Sequence, residues 1–387
     1  MKPNHLLLVD PIAFPGGSKI ATSHALALTD PERLQITVVT RDPSSWSGQN
    51  LRTMPLIEPR FLADREQGIA YFLRHVIILL NIFIARLRHG RIDTAVGASG
   101  PGVDLSLYLG KRCLGYRIVQ LVHGPVARSR TIARALFAAD RVFYLESSQS
   151  SLVSALGSVE PQISAQELET DARFQAFVNG LPAERWPGPT SAQEPRLFWA
   201  ASLLKWKGLS TLLDALQHLH ADTPLQTDIC YIRPRETRVE LGPEPRDIEH
   251  VAWHENPPDL DRIRATCSIF VSTSQAEPFG LSILEAMAAG LTVVIPRDGA
   301  YWDRVLTDRK HCLKYRPGNA SELAERLLEL TRNPALIAEL ASHSRLLAQA
   351  YRAADCYASI AAELESGRGK QPDRTTPGSE PAGHAHV

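Results

Sequence analysis

The stretch Ser274–Gly290 has the sequence Ser-Gln-Ala-Glu-Pro-Phe-Gly-Leu-Ser-Ile-Leu-Glu-Ala-Met-Ala-Ala-Gly, and it follows the apolar run Cys267–Thr273. Such a run is typical of a buried strand, and after Gly280 the apolar residues recur at helical spacing. The sequence therefore predicts a strand, a glycine turn and a helix. Glu277 is expected in the loop at the carboxyl end of the strand, and Glu285 about two turns into the helix.

The two glutamates are spaced to hold the two ends of one elongated ligand. At a rise of ~1.5 Å per residue, their carboxylates are expected roughly 12 Å apart along the helix axis. Between them, the free N–H groups near Phe279, Gly280 and Leu281 form a positive helix end, which favours a phosphate or diphosphate. A sugar at Glu277, a diphosphate at the helix start and a ribose at Glu285 would fill such a site in order.

The arrangement Glu, seven residues, Glu, with Pro-Phe-Gly inside it and Glu-Ala-Met-Ala-Ala-Gly at its end, resembles the signature of the family 4 retaining glycosyltransferases of GT-B fold. The resemblance implies that Glu277 lies by the donor sugar and that Glu285 binds the nucleotide ribose. It also implies front-face transfer with retention at the anomeric carbon, in which Glu277 orients the sugar. Without the resemblance, the alternative is an amphipathic helix with Glu285 on its solvated face and Glu277 as a turn residue.

The segment Lys205-Trp-Lys-Gly208 follows the first strand of the second half, so its lysines are expected at another carboxyl-end loop. A lysine there can neutralise a diphosphate as a point charge, although a Lys-Gly turn alone is often only a solvated helix start. The resemblance implies that Lys207 contacts the donor diphosphate. The family has an arginine five positions earlier, where this chain has Ser202, and we expect Lys205 to substitute for it.

The first half contributes further candidates. Gly16-Gly17 lacks the third glycine of a dinucleotide fingerprint, so a nicotinamide or flavin site is poorly supported. The resemblance implies that this glycine pair approaches the donor phosphate and the acceptor. It also implies that His123 touches the donor sugar, with a structural histidine as the alternative. Ser99 is expected to contact the acceptor, and Asp303 is expected near the nucleotide pocket without an assigned role.

Alternation along the 387 residues predicts an α/β protein with two doubly wound, Rossmann-like domains. The resemblance implies that these domains face a central cleft, as in the GT-B fold. Residues 1–185 are expected to bind the acceptor and residues 186–365 the nucleotide sugar, with the last helix packing back on the first domain. Residues 366–387 lack apolar content and are expected to be a disordered tail.

Ten strands are predicted, and the last of them is expected to close the second sheet. They are His5–Asp10, Gln35–Thr40, Thr94–Ala98, Arg117–Val122, Arg141–Leu145, Leu197–Ala201, Thr227–Ile232, His250–Trp253, Cys267–Thr273 and Leu291–Pro296. A helix with Ser321 as its cap is predicted for Asn319–Arg332.

Charge is distributed unevenly along the chain. The 42 basic and 42 acidic residues cancel, which gives no reason to expect a nucleic-acid partner, but residues 51–145 carry fourteen Lys or Arg against six Asp or Glu. This excess could face an anionic membrane surface, with a solvated arginine-rich face as the alternative. Polar residues interrupt the apolar segment Ile69–Leu87, which favours a helix packed on the sheet over one at a bilayer interface, and argues against a spanning helix.

The five cysteines are scattered, without the close pairs of a zinc site or a disulfide framework. The apolar run Leu6–Val9 is short and ends at Asp10, so a first strand is expected there and not a secretory signal. A cytoplasmic protein, working at the inner face of the cell membrane, is therefore expected. Neither a metal nor another cofactor is predicted.

The predicted function is a retaining glycosyltransferase that moves a sugar from a nucleotide sugar to a glycan or lipid-linked acceptor in polysaccharide or glycoconjugate synthesis. The alternatives are a nucleotide-sugar epimerase of the same fold and a catalytically silent nucleotide-sugar-binding partner, which Ser202 keeps open.

Overall fold

The structure is a computed structural model that describes residues 3–13, 16–63, 67–219, 223–234 and 239–366. In this part of the chain, thirteen strands form two entirely parallel sheets, one in each half of the chain. Apart from Ser366, the expected disordered tail lies outside the described residues.

The first sheet contains seven strands. They are β1 (Asn4–Asp10), β2 (Leu34–Thr40), β3 (Leu51–Pro55), β4 (Thr94–Gly97), β5 (Arg117–Val122), β6 (Arg141–Leu145) and β7 (Phe174–Phe177). Their order in the sheet is β3-β2-β1-β4-β5-β6-β7, so the chain crosses from one side of β1 to the other between β3 and β4. The strands β3 and β7 have no predicted counterpart, because β3 is a mostly exposed edge strand and β7 has only four residues.

Seven helices cover the two faces of this sheet. They are α1 (Gly17–Ala27), α2 (Arg60–Ala63), α3 (Gly68–His89), α4 (Leu105–Leu114), α5 (Arg130–Ala138), α6 (Gln149–Leu156) and α7 (Ala165–Thr170). Alternate residues of β1 point to opposite faces. Leu6 and Leu8 pack in the cluster that includes α1, whereas Leu7 and Val9 pack in the cluster that includes α3, α4, α5 and α6.

The second sheet contains six strands. They are β8 (Leu197–Ser202), β9 (Thr227–Ile232), β10 (Val251–Glu255), β11 (Ile269–Val271), β12 (Thr292–Pro296) and β13 (Cys312–Tyr315). Their order is β10-β9-β8-β11-β12-β13, so the prediction that the strand ending at Pro296 closes the sheet is wrong. The edge strand β13 was not predicted because Lys314 interrupts its apolar residues. In the structure this lysine is buried and paired with Asp303 at 2.8 Å.

The helices of the second half are α8 (Leu209–Leu219), α9 (Leu260–Ala265), α10 (Leu281–Ala289), α11 (Tyr301–Val305), α12 (Ala320–Arg332), α13 (Pro334–Ala348), α14 (Ala353–Cys356) and α15 (Ala358–Glu365). The cap of α12 is Asn319, whose side chain accepts from the Glu322 N–H at 3.0 Å. The prediction of Ser321 is wrong because α12 begins one residue before it, which places Ser321 inside the first turn.

The end of the chain returns to the first domain. The helix α15 packs against α1, and the side chain of Asn4 donates to the Glu365 carbonyl at 3.1 Å. Just before α15, the Tyr357 hydroxyl bonds to the Asn179 side chain at 3.2 Å and accepts from the Gly180 N–H at 3.1 Å. The last two helices therefore tie the segment between the sheets to the first domain.

His75 on α3 gives a testable link between burial and acid stability. Its ring is fully buried and lies edge-on to Tyr71, with ring centroids 4.4 Å apart. Burial, followed by the positive charge of Arg74, lowers the pKa of His75 to about 4. Because the unfolded chain takes up this proton near pH 6.5 and the folded chain does not, the stability from His75 is present above that pH and is lost as the pH falls toward 4.

We expect His75→Phe to remove this dependence. Between pH 7 and 4.5 the wild type should lose roughly 2 to 3 kcal/mol more free energy of unfolding than the variant. Chemical denaturation at several pH values measures the difference, and His218→Phe, at an exposed position on α8, is the control. Parallel pH profiles for the wild type and His75→Phe would contradict the prediction.

Candidate functional site

Two loops meet at the carboxyl ends of the neighbouring strands β8 and β11. The Thr273 hydroxyl donates to the Lys207 carbonyl at 2.7 Å and accepts from the Trp199 indole N–H at 3.0 Å. The Gln275 N–H donates to the Trp206 carbonyl at 3.0 Å. These hydrogen bonds fix the loop after β8 against the loop after β11, so the predicted site residues on the two loops have a defined relative position.

Lys207 and Glu277 form an ion pair across these loops. The Lys207 ammonium donates to Oε2 of Glu277, and each side chain keeps 16% of its surface exposed. The Lys207 Nζ also lies 4.0 Å from the ring centroid of Trp206, a cation–π geometry. A carboxylate and an aromatic face thus hold this charge in place at a position that a ligand can still reach.

The start of α10 lies directly beside this pair. Gly280 precedes α10 with a φ of 77°, in the left-handed region, and a Cβ placed on it would lie 3.0 Å from Cγ of Glu277. Within residues 239–366 and the other described ranges, the N–H groups of Phe279, Gly280, Leu281 and Ser282 have no protein acceptor. The structure therefore brings the predicted amide end, Glu277 and Lys207 together, which is a suitable environment for an anion.

An aromatic cluster supports the turn before α10. The Phe279 ring is buried and packs on Tyr301 and Trp302, with centroids 4.9 and 5.1 Å apart. The Trp302 indole N–H donates to the Gly280 carbonyl at 3.3 Å. The Phe279 side chain thus anchors the turn, while its N–H is without a protein acceptor among the described residues.

Glu285 is the fifth residue of α10, so it lies about one turn into the helix and not two as predicted. Only about 6 Å of axial rise separates Glu285 from Leu281, and the expected separation of roughly 12 Å between the Glu277 and Glu285 carboxylates stays a prediction. Arg264 donates to Oε2 of Glu285 at 2.5 Å and also to Asp261. Burial raises the pKa of Glu285, and the charge of Arg264 opposes that effect.

Lys205 and Ser202 lie apart from the Lys207–Glu277 pair in their contacts. The Lys205 ammonium binds Glu240 at 2.6 Å, and the two side chains are 65% and 70% exposed. Ser202 is the last residue of β8 and is partly buried. In this conformation Lys205 is paired on the surface, so a role as substitute for the missing arginine requires its side chain to leave Glu240.

The glycine pair of the first domain lies where β1 leads into α1. Gly16 precedes the helix in an extended conformation, and Gly17 is its first residue. A Cβ placed on Gly17 would meet nothing within 4 Å, so the space beside it is open. Behind the pair, the buried ammonium of Lys19 binds the Ile12 carbonyl at 2.7 Å and pairs with Asp10 at 2.9 Å, which fixes both ends of the turn.

His123 follows β5 and is oriented by α1. Its Nε2 lies 2.9 Å from the Thr22 hydroxyl, which donates its single proton to the Ser18 carbonyl at 2.8 Å. Nε2 of His123 must therefore carry the proton, and Nδ1 is left as an acceptor. Nδ1 is buried and has no partner among the described residues, and burial lowers the pKa of His123 to about 4. The imidazole is thus neutral at physiological pH.

The buried side chain of Asp104 holds the loop of Ser99 and Gly100, which is the predicted acceptor loop. The N–H groups of Ser99 and Gly100 donate to Oδ2 of Asp104 at 3.2 and 3.1 Å, and Gln120 donates to the same oxygen at 2.8 Å. Asp104 is fully buried, and burial raises its pKa to about 7. Ser99 therefore lies on a loop whose shape depends on a buried carboxyl group.

Asp303 lines the same shallow cleft as Glu277. Its carboxylate binds the buried Lys314 ammonium at 2.8 Å and accepts from the Gly299 N–H at 2.7 Å. These contacts occupy Asp303 in holding β13 and the loop before α11. Among the described residues, no group of three or more His, Cys, Asp or Glu side chains is placed to bind a metal.

Sequence reasoning missed three residues that position the site. Thr22 orients His123, Arg264 holds Glu285, and Asp104 supports the loop of Ser99. Only Arg264 left a local signal, because it lies three positions after Asp261 on one helix. The other contacts join residues distant in the chain or depend on the turn between them.

Residues 182–347 match the family model of glycosyl transferases group 1. Among solved structures, HepE of Anabaena in complex with UDP-glucose has a TM-score of 0.68 at 17% identity, over 94% of this chain and 99% of that one. The sucrose-phosphate synthase of Thermosynechococcus elongatus has a TM-score of 0.69 at 16% identity, over 93% and 98%. A glycosyltransferase of Rickettsia africae has a TM-score of 0.67 at 13% identity, over 95% and 100%.

The chain has the GT-B fold. Its two parallel α/β sheets and its likeness to these structures over nearly its whole length confirm that prediction. No curated protein matches the chain. The group 1 match includes Lys207, Glu277 and Glu285, whereas Gly17 and His123 precede it. The finer assignment to family 4 stays a prediction.

Proposed function

We propose that this protein transfers a sugar from a nucleotide sugar to a glycan or lipid-linked acceptor, with retention and without a metal ion. The observation that carries the proposal is the Lys207–Glu277 ion pair beside the open amide end of α10. A cation and free N–H groups that converge on one point suit the developing charge of a departing nucleoside diphosphate. The GT-B fold and the group 1 match support this choice of reaction.

Each part of the donor has a candidate partner. Glu285, held by Arg264, accepts hydrogen bonds from the ribose hydroxyls, and Lys207 shares its charge between Glu277 and the diphosphate. Glu277 orients the sugar from one side. The partly exposed ring of His123, after β5, is the candidate to contact the sugar on the other side. The acceptor approaches along the loops of Gly17 and Ser99 in the first domain.

Nucleotide binding is tested by thermal shift with nucleoside diphosphates and their sugars. UDP-glucose is tried first, because the similar HepE structure contains it. Binding to the folded state raises Tm. We expect Glu285→Gln to weaken nucleotide affinity by about tenfold or more, since it removes charged hydrogen bonds to the ribose. Glu325→Gln, at an exposed position on α12, should leave affinity unchanged. A wild type whose Tm no nucleotide raises would overturn the proposal.

Retention is tested separately. The anomeric configuration of the product, measured by NMR, should equal that of the donor, and transfer should continue in the presence of a chelator. Synthesis of a polysaccharide or glycoconjugate in the cytoplasm, at the inner face of the membrane, is the setting we propose for this reaction.

One observation favours a second candidate, a catalytically silent nucleotide-sugar-binding partner. Ser202 stands where the resembled family has an arginine, and Lys205 is paired with Glu240 on the surface. Donor binding without transfer to a broad acceptor panel would establish this candidate. Release of free nucleotide diphosphate together with an altered sugar, in the absence of any acceptor, would instead indicate an epimerase.

A further inference from the structure

The outer side of α3 carries an apolar stripe. Its exposed members recur at helical spacing and are Ile69, Phe72, Leu73, Val76, Leu80, Phe83 and Leu87. Ile69 and Leu87, at the two ends, are 89% and 84% exposed, and Leu80 between them is 56% exposed. Monomeric soluble proteins usually scatter such residues singly, so a stripe along the whole of a 22-residue helix indicates a surface that binds something.

The inner side of α3 is already used by the fold. Ile78, Ile82 and Ala85 are fully buried against the first sheet. Although α3 is long and apolar enough to cross a bilayer, this packing makes it part of the domain. The helix is thus apolar on two sides, and no described residue covers the outer one.

The charged residues on the helices around the stripe are all basic, and two of them pair with acidic residues of neighbouring segments, Arg74 with Glu58 and Lys111 with Asp140. The helices α3, α4 and α5 pack on the same face of the sheet, and together they contain seven Lys or Arg and no Asp or Glu. Five exposed arginines on and beside these helices form no ion pair within the described ranges. They are Arg88, Arg112, Arg128, Arg130 and Arg134. Unpaired cations beside an exposed apolar stripe complement an apolar layer bordered by negative charge.

We propose that this α3 surface, defined as the stripe on α3 and the five arginines, docks on an anionic lipid membrane. In this arrangement α3 lies in the plane of the interface, with its stripe among the acyl chains and the arginines at the headgroups. A second copy of the chain is the poorer occupant, because a symmetric dimer through this surface would bring the arginines of both copies together.

The surface also adjoins the predicted acceptor loop. The Tyr71 hydroxyl on α3 donates to the Gly102 carbonyl at 2.7 Å, in the loop that begins at Ser99. If the proposed function holds, docking through α3 would present this loop to an acceptor anchored in the same membrane. The docking itself does not depend on the proposed function.

Cosedimentation of the full chain with vesicles tests the proposal without nucleotide or substrate. The wild type should bind phosphatidylcholine vesicles that contain phosphatidylglycerol. The triple variant Ile69→Gln, Leu80→Gln, Leu87→Gln should bind these vesicles with an affinity at least about tenfold lower, because three apolar side chains no longer insert. Leu346→Gln, which changes a 75% exposed leucine on α13, is the matched control and should bind like the wild type.

A second pair of measurements separates charge from apolar insertion. Arg112→Gln with Arg134→Gln should weaken binding to the anionic vesicles, and the loss should shrink in high salt because the charges are exposed. The proposal would be overturned if the triple variant bound the vesicles as tightly as the wild type does, or if the wild type bound no anionic vesicle. So would a wild-type dimer in sedimentation that the triple variant dissociates, since the surface would then belong to a second copy.

Discussion

Replacing Lys207 by alanine is expected to lower kcat for sugar transfer by roughly 10²- to 10³-fold, the usual effect of removing one preorganised group that stabilises developing charge. The ammonium lies against Glu277 and over the Trp206 ring, so it is already in place before the donor binds. In this variant, the negative charge on the departing nucleoside diphosphate would be stabilised by the amide end of α10 alone. Steady-state kinetics with the donor found by thermal shift give the number.

Lys205→Ala is the matched control, because it removes an identical side chain two positions away on the same short turn. Lys205 is 65% exposed and paired with Glu240, an interaction that contributes little to stability. If Lys205 stays there, its replacement should leave kcat within about twofold. A loss as large as that of Lys207→Ala would instead show that Lys205 leaves Glu240 and supplies the charge missing at Ser202. An unchanged rate for Lys207→Ala would remove Lys207 from the site.

The strand, turn and helix around Gly280 could be predicted because their signals are local. Apolar runs give the strand, the glycine accommodates a φ of 77°, and helical spacing gives α10. The depth of Glu285 in α10 was overestimated, because the periodic pattern does not mark the residue at which the helix begins. The count of residues began in the loop before Gly280 and not at Leu281, where α10 begins, and this added almost one helical turn to the predicted depth of Glu285.

Contacts between distant residues could not be predicted in the same way. The strand β13 contains Lys314, whose buried charge is acceptable only because Asp303 lies 2.8 Å away. Arg264 is buried for the same kind of reason, since Asp261 and Glu285 pair with its two terminal nitrogens. Such residues look like surface positions in the sequence, because their partners become visible only in the folded chain.

The helix α3 shows a related limit of prediction from sequence. Its apolar sequence predicts burial, and one side is indeed buried at Ile78 and Ile82. Periodicity gives no indication of how many sides a neighbouring sheet can cover, so the exposed position of Leu80 came only from the structure. The two interpretations kept open from the sequence, packing on the sheet and contact with a bilayer, are compatible because they use opposite sides of the helix.

Gly208→Ala is expected to cost several kcal/mol of stability, from two effects that add. The residue has a φ of +69°, where an L side chain costs about 1–2 kcal/mol. A Cβ at this position would also lie 2.1 Å from the Thr273 carbonyl oxygen, so the backbone of one loop must move away from the other. That movement would separate Lys207 from Glu277, and kcat should fall together with stability.

Gly318→Ala distinguishes the clash from the strain. Gly318 has a nearly equal φ of +72°, but a Cβ there would meet nothing within 4 Å. Its replacement should therefore cost only the strain of about 1–2 kcal/mol and leave transfer intact. Chemical denaturation and steady-state kinetics of both variants measure the comparison. Equal losses of stability would mean that the loops after β8 and β11 can separate freely, and the fixed position of Lys207 beside Glu277 would then lose its structural basis.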